Sequence, residues 1–174
     1  LLTIREKKGR LEGLRIAFIG DGNNVAASLA LAAGLAGIEF AIASPDGYAL
    51  PAAVIAAARE RASRHGGAIE TLTAPEEAVR GADIVYTDVW TSMGQEGTRR
   101  QRLEAFTGYQ VDAKLMTLAK PDAIFMHDLP AHRGEETVDE VIEGSQSVVF
   151  DQAENRLHAQ KALLAVIMAD VPAL

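Results

Sequence analysis

The sequence predicts an α/β fold: a Rossmann-like, three-layer αβα domain around a mostly parallel sheet of about five strands. Three features predict it. Short apolar runs alternate with helix-like stretches along the whole chain. The first run, Leu14-Arg15-Ile16-Ala17-Phe18-Ile19, is apolar at nearly every position and enters a glycine turn, as a buried parallel strand does. Two later runs end abruptly in polar clusters, and open α/β sheets bind ligands beyond the carboxyl ends of their strands.

Taken in order, residues 1–10 read as the tail of a charged helix, and the chain as a piece that begins within a longer protein. The strand at 14–19 ends at Gly20-Asp21-Gly22-Asn23-Asn24. Residues 24–36 are rich in Ala and Leu and form a helix that small residues let approach a sheet; Gly37 stops it. A second strand spans 38–43, with the turn Ser44-Pro45-Asp46-Gly47 behind it. Pro51 opens a helix over 51–65, and Gly66-Gly67 closes it. A short strand follows at 68–71. The helix at 75–79 carries Glu76 and Glu77 in its first turn, where the helix dipole favours acids. The fourth strand, 82–87, runs into Asp88-Val89-Trp90-Thr91-Ser92-Met93-Gly94-Gln95-Glu96. Helices are expected at 99–106 and 112–119, a fifth strand at 123–126, a short helix at 138–142, a last short strand at 147–150 and a final helix at 153–169. There is no internal repeat, no low-complexity linker and no sign of a second domain.

Composition narrows the function. The 174 residues carry a net charge of −7 and a pI near 5.1, which argues against nucleic-acid binding. Cysteine is absent, so no disulfide, thiolate nucleophile or Cys-ligated metal is available. No apolar run approaches the roughly 18 residues of a membrane span, and no signal peptide is visible.

The turn Gly20-Asp21-Gly22 invites a dinucleotide reading, but the third glycine of G-x-G-x-x-G is Val25 here. The second strand ends in Ala43-Ser44, without a ribose-binding acid. The plainer reading is a tight βα turn whose glycines serve backbone geometry. Of Asn23 and Asn24, one caps the helix and the other is free to face a ligand. Asp88 and Ser92 could each be caps. Together at one strand end, with backbone donors beside them, they suit a zwitterion: the acid pairs with an α-ammonium and the donors take an α-carboxylate. His127 and His132 flank Asp128, but their spacing is not that of a helical pair and Leu129-Pro130 intervenes, so no metal is assigned. Taken alone, Arg156 is a solvated or ion-paired residue. Met116, Met126 and Met168 read as core filler, and residues 99–102 as a solvated helix face.

Four motifs in this order, Gly20-Asp21-Gly22-Asn23-Asn24-Val25, Asp88-Val89-Trp90-Thr91-Ser92-Met93-Gly94-Gln95-Glu96, His127-x-Leu129-Pro130 and Glu154-Asn155-Arg156, resemble those of ornithine carbamoyltransferase. The resemblance covers essentially the whole chain, and the block from Asp88 to Glu96 is highly specific. It is a resemblance to the carboxyl-terminal, ornithine-binding domain only. It implies a single domain over 1–174, with residues 1–12 the tail of a preceding inter-domain helix, in an enzyme of arginine biosynthesis. That enzyme joins ornithine's side-chain amine to the carbonyl of carbamoyl phosphate, giving citrulline and phosphate, without cofactor or metal. Asn24, Asp88, Ser92 and Met93 would hold the α-amino and α-carboxylate groups. Leu129 and its neighbour would offer backbone carbonyls to the carbamoyl nitrogen. Arg156 would polarise the carbamoyl oxygen, which gains negative charge in the transition state. At position 128 the family has Cys in H-C-L-P and this chain has Asp128, which would take the substrate-binding and catalytic place of that Cys.

The family's phosphate-binding motifs, S-T-R-T-R and H-P-x-Q, occur nowhere in these residues. L-Ornithine is therefore the expected partner, carbamoyl phosphate only with the domain that carries those motifs. The family assembles as cytoplasmic trimers through that other domain, so this chain is expected to be a monomer that makes no citrulline alone. An excised or redesigned amino-acid-binding module without catalytic activity is the alternative, and a nucleotide oxidoreductase a third reading.

Overall fold

The computed structural model describes residues 1–92 and 94–169. Five strands, β1 (Arg15–Ile19), β2 (Glu39–Ala43), β3 (Ala68–Leu72), β4 (Ile84–Thr87) and β5 (Ile124–His127), form one sheet in the order β3-β2-β1-β4-β5. Every pairing is parallel. The order turns back between β1 and β4. That switch point leaves a crevice beyond the carboxyl ends of those strands, where Gly20 and Asp88 begin the two turns.

Side chains alternate across each strand. Ile16, Phe18, Phe40, Ile42, Ile84 and Tyr86 face one core; Ala17, Ile19, Ala41, Ala43, Val85 and Phe125 face the other. On the first face lie α1 (Leu2–Lys8), α2 (Asn24–Leu35) and α3 (Ala52–His65), with Val148 just ahead of α8 (Val149–Met168), whose first residue turns to the second face. On the second lie α4 (Pro75–Val79), α6 (Ala113–Met116) and α7 (Asp139–Ile142). The helix α5 (Arg99–Ala105) buries no residue completely and stands at the margin. Phe18 anchors the first core, its ring 6.4 Å from that of Phe40 and 5.5 Å from that of Tyr86.

Small residues serve the packing of α2 against α3, as the Ala-rich sequence implied. A Cβ on Gly34 would sit 2.6 Å from the Ala58 carbonyl oxygen. The glycine turn after β1 also serves backbone geometry. Gly20 has φ +139°, and a Cβ on Gly22 would fall 2.4 Å from the Leu50 nitrogen. The close approach that a pyrophosphate would make is thus taken by the chain's own segment 49–50, which Gly22 N–H ties down through the Tyr48 carbonyl at 2.7 Å.

Four expectations are corrected. Residues 147–150 are not a strand: Ser147 makes a single bridge to Phe125, and α8 begins at Val149 rather than 153. The bridge and the bond from Val148 N–H to the Phe125 carbonyl use up the exposed edge of β5, so the chain turns at once into helix. The helix expected over 112–119 keeps α-geometry only to Met116, because Leu118 and Ala119 bond three residues back and tighten the chain. Residues 99–102 are not all solvated: Arg102 pairs with the buried Asp21 at 2.7 Å. Met168 is no core filler, being 80% exposed, whereas Met116 and Met126 are buried.

Met168 belongs to a wider feature. Leu157 and, in the outer half of α8, Leu163, Leu164, Val166 and Ile167 are exposed as well. Its inner half is held by Asn155, whose amide donates to Thr3 and Glu6 of α1. Among the described residues no helix is long and apolar enough to cross a membrane.

Candidate functional site

The site is built where β1, β4 and β5 end. Asn23 caps α2, its Oδ1 accepting the N–H groups of Val25 and Ala26, both at 3.0 Å. Its amide nitrogen donates to Asp88 Oδ2 at 2.6 Å. The other Asp88 oxygen accepts the Val89 N–H at 2.7 Å. Asp88 is buried, so these bonds fix its carboxylate in one orientation. Asn24, released from capping, lines the cleft.

A cleft of about 410 Å³ brings together Asn24, Asp88, Thr91, Ser92, Asp128 and Leu129. A second, of about 450 Å³, shares Asn24 and Asp128 and adds Tyr86, Gln152 and Arg156. Asp128 therefore stands on the wall common to both. Every expected site residue that is described lies on one cleft or the other; Met93 lies outside the described residues. Arg156 is exposed and has no ion-pair partner among the described residues. Trp90, in the middle of the specific block, faces inward and stacks on Phe106 at 5.4 Å.

The loop after β5 is braced from behind. The Leu129 N–H donates to His127 Nδ1 at 2.9 Å, which leaves the ring proton on Nε2, facing Glu136 at 3.2 Å. Glu136, fully buried, also accepts the His132 N–H. His127 is thus a brace rather than a ligand. It holds a turn in which Leu129 has φ 59°, a left-handed conformation uncommon for a residue with a side chain. Gln152 of α8 joins in, donating to the Tyr86 hydroxyl at 2.9 Å and accepting the His127 N–H at 3.2 Å. Burial, and next the nearby Asp128 charge, push the Tyr86 hydroxyl well above its ordinary value, so it stays neutral.

Asp128 is the least comfortable group. Its Oδ1 is buried without a hydrogen-bond partner among the described residues. Burial, then the Asp88 charge and a carboxyl–carboxylate contact with Asp88, push it up to about 6. The folded state therefore binds this proton more tightly than the unfolded chain, whose ordinary value is 3.8. Stability is greatest below 3.8 and is lost as pH rises through about 6. With a third of the side chain exposed, Asp128→Asn is expected to stabilise the fold by about 1–2 kcal/mol at neutral pH and by little at pH near 4. Urea denaturation at the two pH values measures it; equal effects at both would contradict the raised proton affinity of Asp128.

Tyr86, Gln152 and the double role of Asn23 escaped sequence reasoning. Gln152 had one available signal: it lies one helical turn before Arg156, on the same face of α8.

Residues 12–167 match the family model described as aspartate/ornithine carbamoyltransferase, Asp/Orn binding domain. The ornithine carbamoyltransferase of Symbiobacterium thermophilum is 58% identical over 169 residues, 97% of this chain and 54% of that protein. That of Acidothermus cellulolyticus is 55% identical over 168 residues, again 97% of this chain and 54% of its own length. The ornithine carbamoyltransferase structure from Pyrococcus furiosus superposes with a TM-score of 0.94 at 50% identity, covering 98% of this chain and 55% of that one. The structure from Gloeobacter violaceus gives 0.90 at 52% identity, covering 97% of this chain and 56% of its own. The chain spans about half the length of the curated relatives it matches. It belongs to the aspartate/ornithine carbamoyltransferase family and carries that family's Asp/Orn-binding domain.

Proposed function

We propose that this chain is the ornithine-binding half of an ornithine carbamoyltransferase, a single domain over 1–174 in which residues 1–12 end an inter-domain helix. The observation that carries the reading is the placing of Asn24, Asp88, Ser92 and Asp128 around one cleft, with Arg156 on the cleft adjoining it. Asp88 takes the α-ammonium of L-ornithine. Asn24, Ser92 and Met93 hold the α-carboxylate end.

Ornithine's side-chain ammonium must lose a proton before its nitrogen can attack. Asp128, facing both clefts, accepts it in its ionised form. The nitrogen lone pair then forms a bond to the carbonyl carbon of carbamoyl phosphate. Arg156 stabilises the oxygen that gains charge, and Leu129 offers its backbone carbonyl to the carbamoyl nitrogen. Collapse breaks the bond from carbon to the phosphate oxygen. Phosphate leaves, a second proton departs from the attacking nitrogen, and citrulline remains. Much of the acceleration comes from orienting two substrates. The groups that grip phosphate belong to the half of the enzyme that lies outside these residues, and with that half the protein works as a cytoplasmic trimer.

Calorimetric titration tests this. L-Ornithine is expected to give saturable heat, unchanged by carbamoyl phosphate, and labelled carbamoyl phosphate with ornithine is expected to yield no citrulline above a blank. Absence of saturable heat contradicts the binding role; citrulline from the chain alone contradicts the half-site role. The second reading, an amino-acid-binding module without catalysis, draws on the fact that these clamp residues all come from one chain. Citrulline formation once the chain is joined to a phosphate-binding half separates the two.

A further inference from the structure

We infer that His132, Glu135 and Glu136 form a binding site for a divalent transition-metal ion at the rim of the cleft. One ligand atom from each lies within 4.8 Å of the others. Two of these side chains are arranged so that one oxygen is anchored and the other is spare. Glu136 is fully buried. Its Oε1 accepts from His127 Nε2 and from the His132 N–H, while its Oε2 is buried without a partner among the described residues. Glu135 Oε1 is held by Arg99, and its Oε2 is likewise buried and unpartnered. His132 Nδ1 stands 3.9 Å from the spare Glu136 oxygen.

An unpartnered buried carboxylate oxygen is destabilising. A spare buried oxygen of Glu136 beside an imidazole nitrogen, with Glu135 close by, is offset by a cation more fully than by any neutral donor. Zinc-type ions bind such atoms at about 2.1 Å, which sets neighbouring ligands about 3.5 Å apart, so the set closes on an ion by about an ångström. One imidazole with two carboxylates suits Zn²⁺, Co²⁺, Mn²⁺ or Ni²⁺ and leaves positions for water. His132 is half-exposed and provides the way in. The anchoring bonds to the opposite oxygens act as the outer supports that metal ligands need.

A second trio, Asp88, His127 and Asp128, is equally close. Two of its three groups are already committed. Asp88 accepts from Asn23 and Val89, and His127 Nδ1 accepts from Leu129. A metal there would break bonds; a metal at the rim breaks none. His132 lines the cleft, so an ion held between it and Glu136 would also stiffen the cleft mouth.

The test uses the chelator-stripped chain, titrated with Co²⁺ and followed by calorimetry and by the visible absorption of the bound ion. One equivalent is expected to bind with a dissociation constant of roughly 10 μM or below. His132→Ala and Glu135→Gln are each expected to weaken it at least about tenfold, with unchanged far-ultraviolet circular dichroism, whereas Asp128→Asn leaves it as it is. Glu136 is not varied because it also braces His127. No saturable binding by millimolar Co²⁺, or binding that survives both rim variants, or binding lost with Asp128→Asn, overturns the site. A His132 ring that merely contacts Glu136 gives the first of these results.

Discussion

Asp88→Asn is expected to weaken L-ornithine binding by about 100- to 1,000-fold. Two hydrogen bonds, from Asn23 and Val89, fix the carboxylate. They hold it in place without neutralising it, and burial makes its charge count for more than at the surface. Removing the anionic partner of a buried ammonium costs about 2–5 kcal/mol, which is where the fold-change comes from. Asn also brings an NH₂ group that must face either the Asn23 amide or the Val89 N–H, both donors. One clamp bond is therefore lost as well. Without the neighbouring charge the Asp128 carboxyl loses two causes of its raised value and is more fully ionised at neutral pH. Calorimetry on both chains measures the loss. A change below about fivefold would remove Asp88 from the ammonium site.

Arg102→Ala is expected to destabilise the fold by about 3 kcal/mol. Arg102 comes from α5, and its guanidinium reaches the turn after β1. It meets Asp21 at 2.7 Å and the Trp90 carbonyl at 2.8 Å, and lies over the Tyr48 ring at 4.9 Å. Side chains on both sides of the ion pair are about nine-tenths buried, at 12% and 10% exposure. Removing the cation leaves Asp21 buried and alone. Burial already raises the Asp21 carboxyl against the pull of Arg102; without Arg102 it takes up a proton more readily still. The loss should therefore be larger at pH 8 than at pH 5. Denaturation at both pH values checks this, and a loss below about 1 kcal/mol would class the pair with surface ion pairs.

These two residues also mark what local sequence can and cannot convey. Strand ends were legible to within one or two residues because apolar runs stop at glycines, prolines and polar clusters. The helix α4 was legible in full, since Pro75 opens it and acids fill its first turn. Asp88 was legible because it ends a strand beside Ser92 and Gly94. The partner of Arg102 was not: Asp21 is 81 residues away, and a row of arginines on a short helix looks the same whether or not one of them finds a buried acid. The meeting of Asp88 and Asp128 was hidden for the same reason, since two parallel strands bring their turns together only once they are paired in register. The end of α6 was set by bonds from Gly81 and Lys120, which tie residues 118–120 to the start of β4. The division of labour between Asn23 and Asn24 was anticipated in kind, but only the geometry says which of them caps.

The central claim, that an amino-acid zwitterion sits in the cleft beyond β1, β4 and β5, is tested most directly by amide chemical shifts. The isotope-labelled chain would be titrated with L-ornithine and compared with the same titration of Asp88→Asn. Saturable shifts concentrated at Asn24, Asp88, Val89, Ser92 and Leu129, and absent from Asp88→Asn, are the predicted result. Shifts centred elsewhere, or the same shifts in Asp88→Asn, would contradict it.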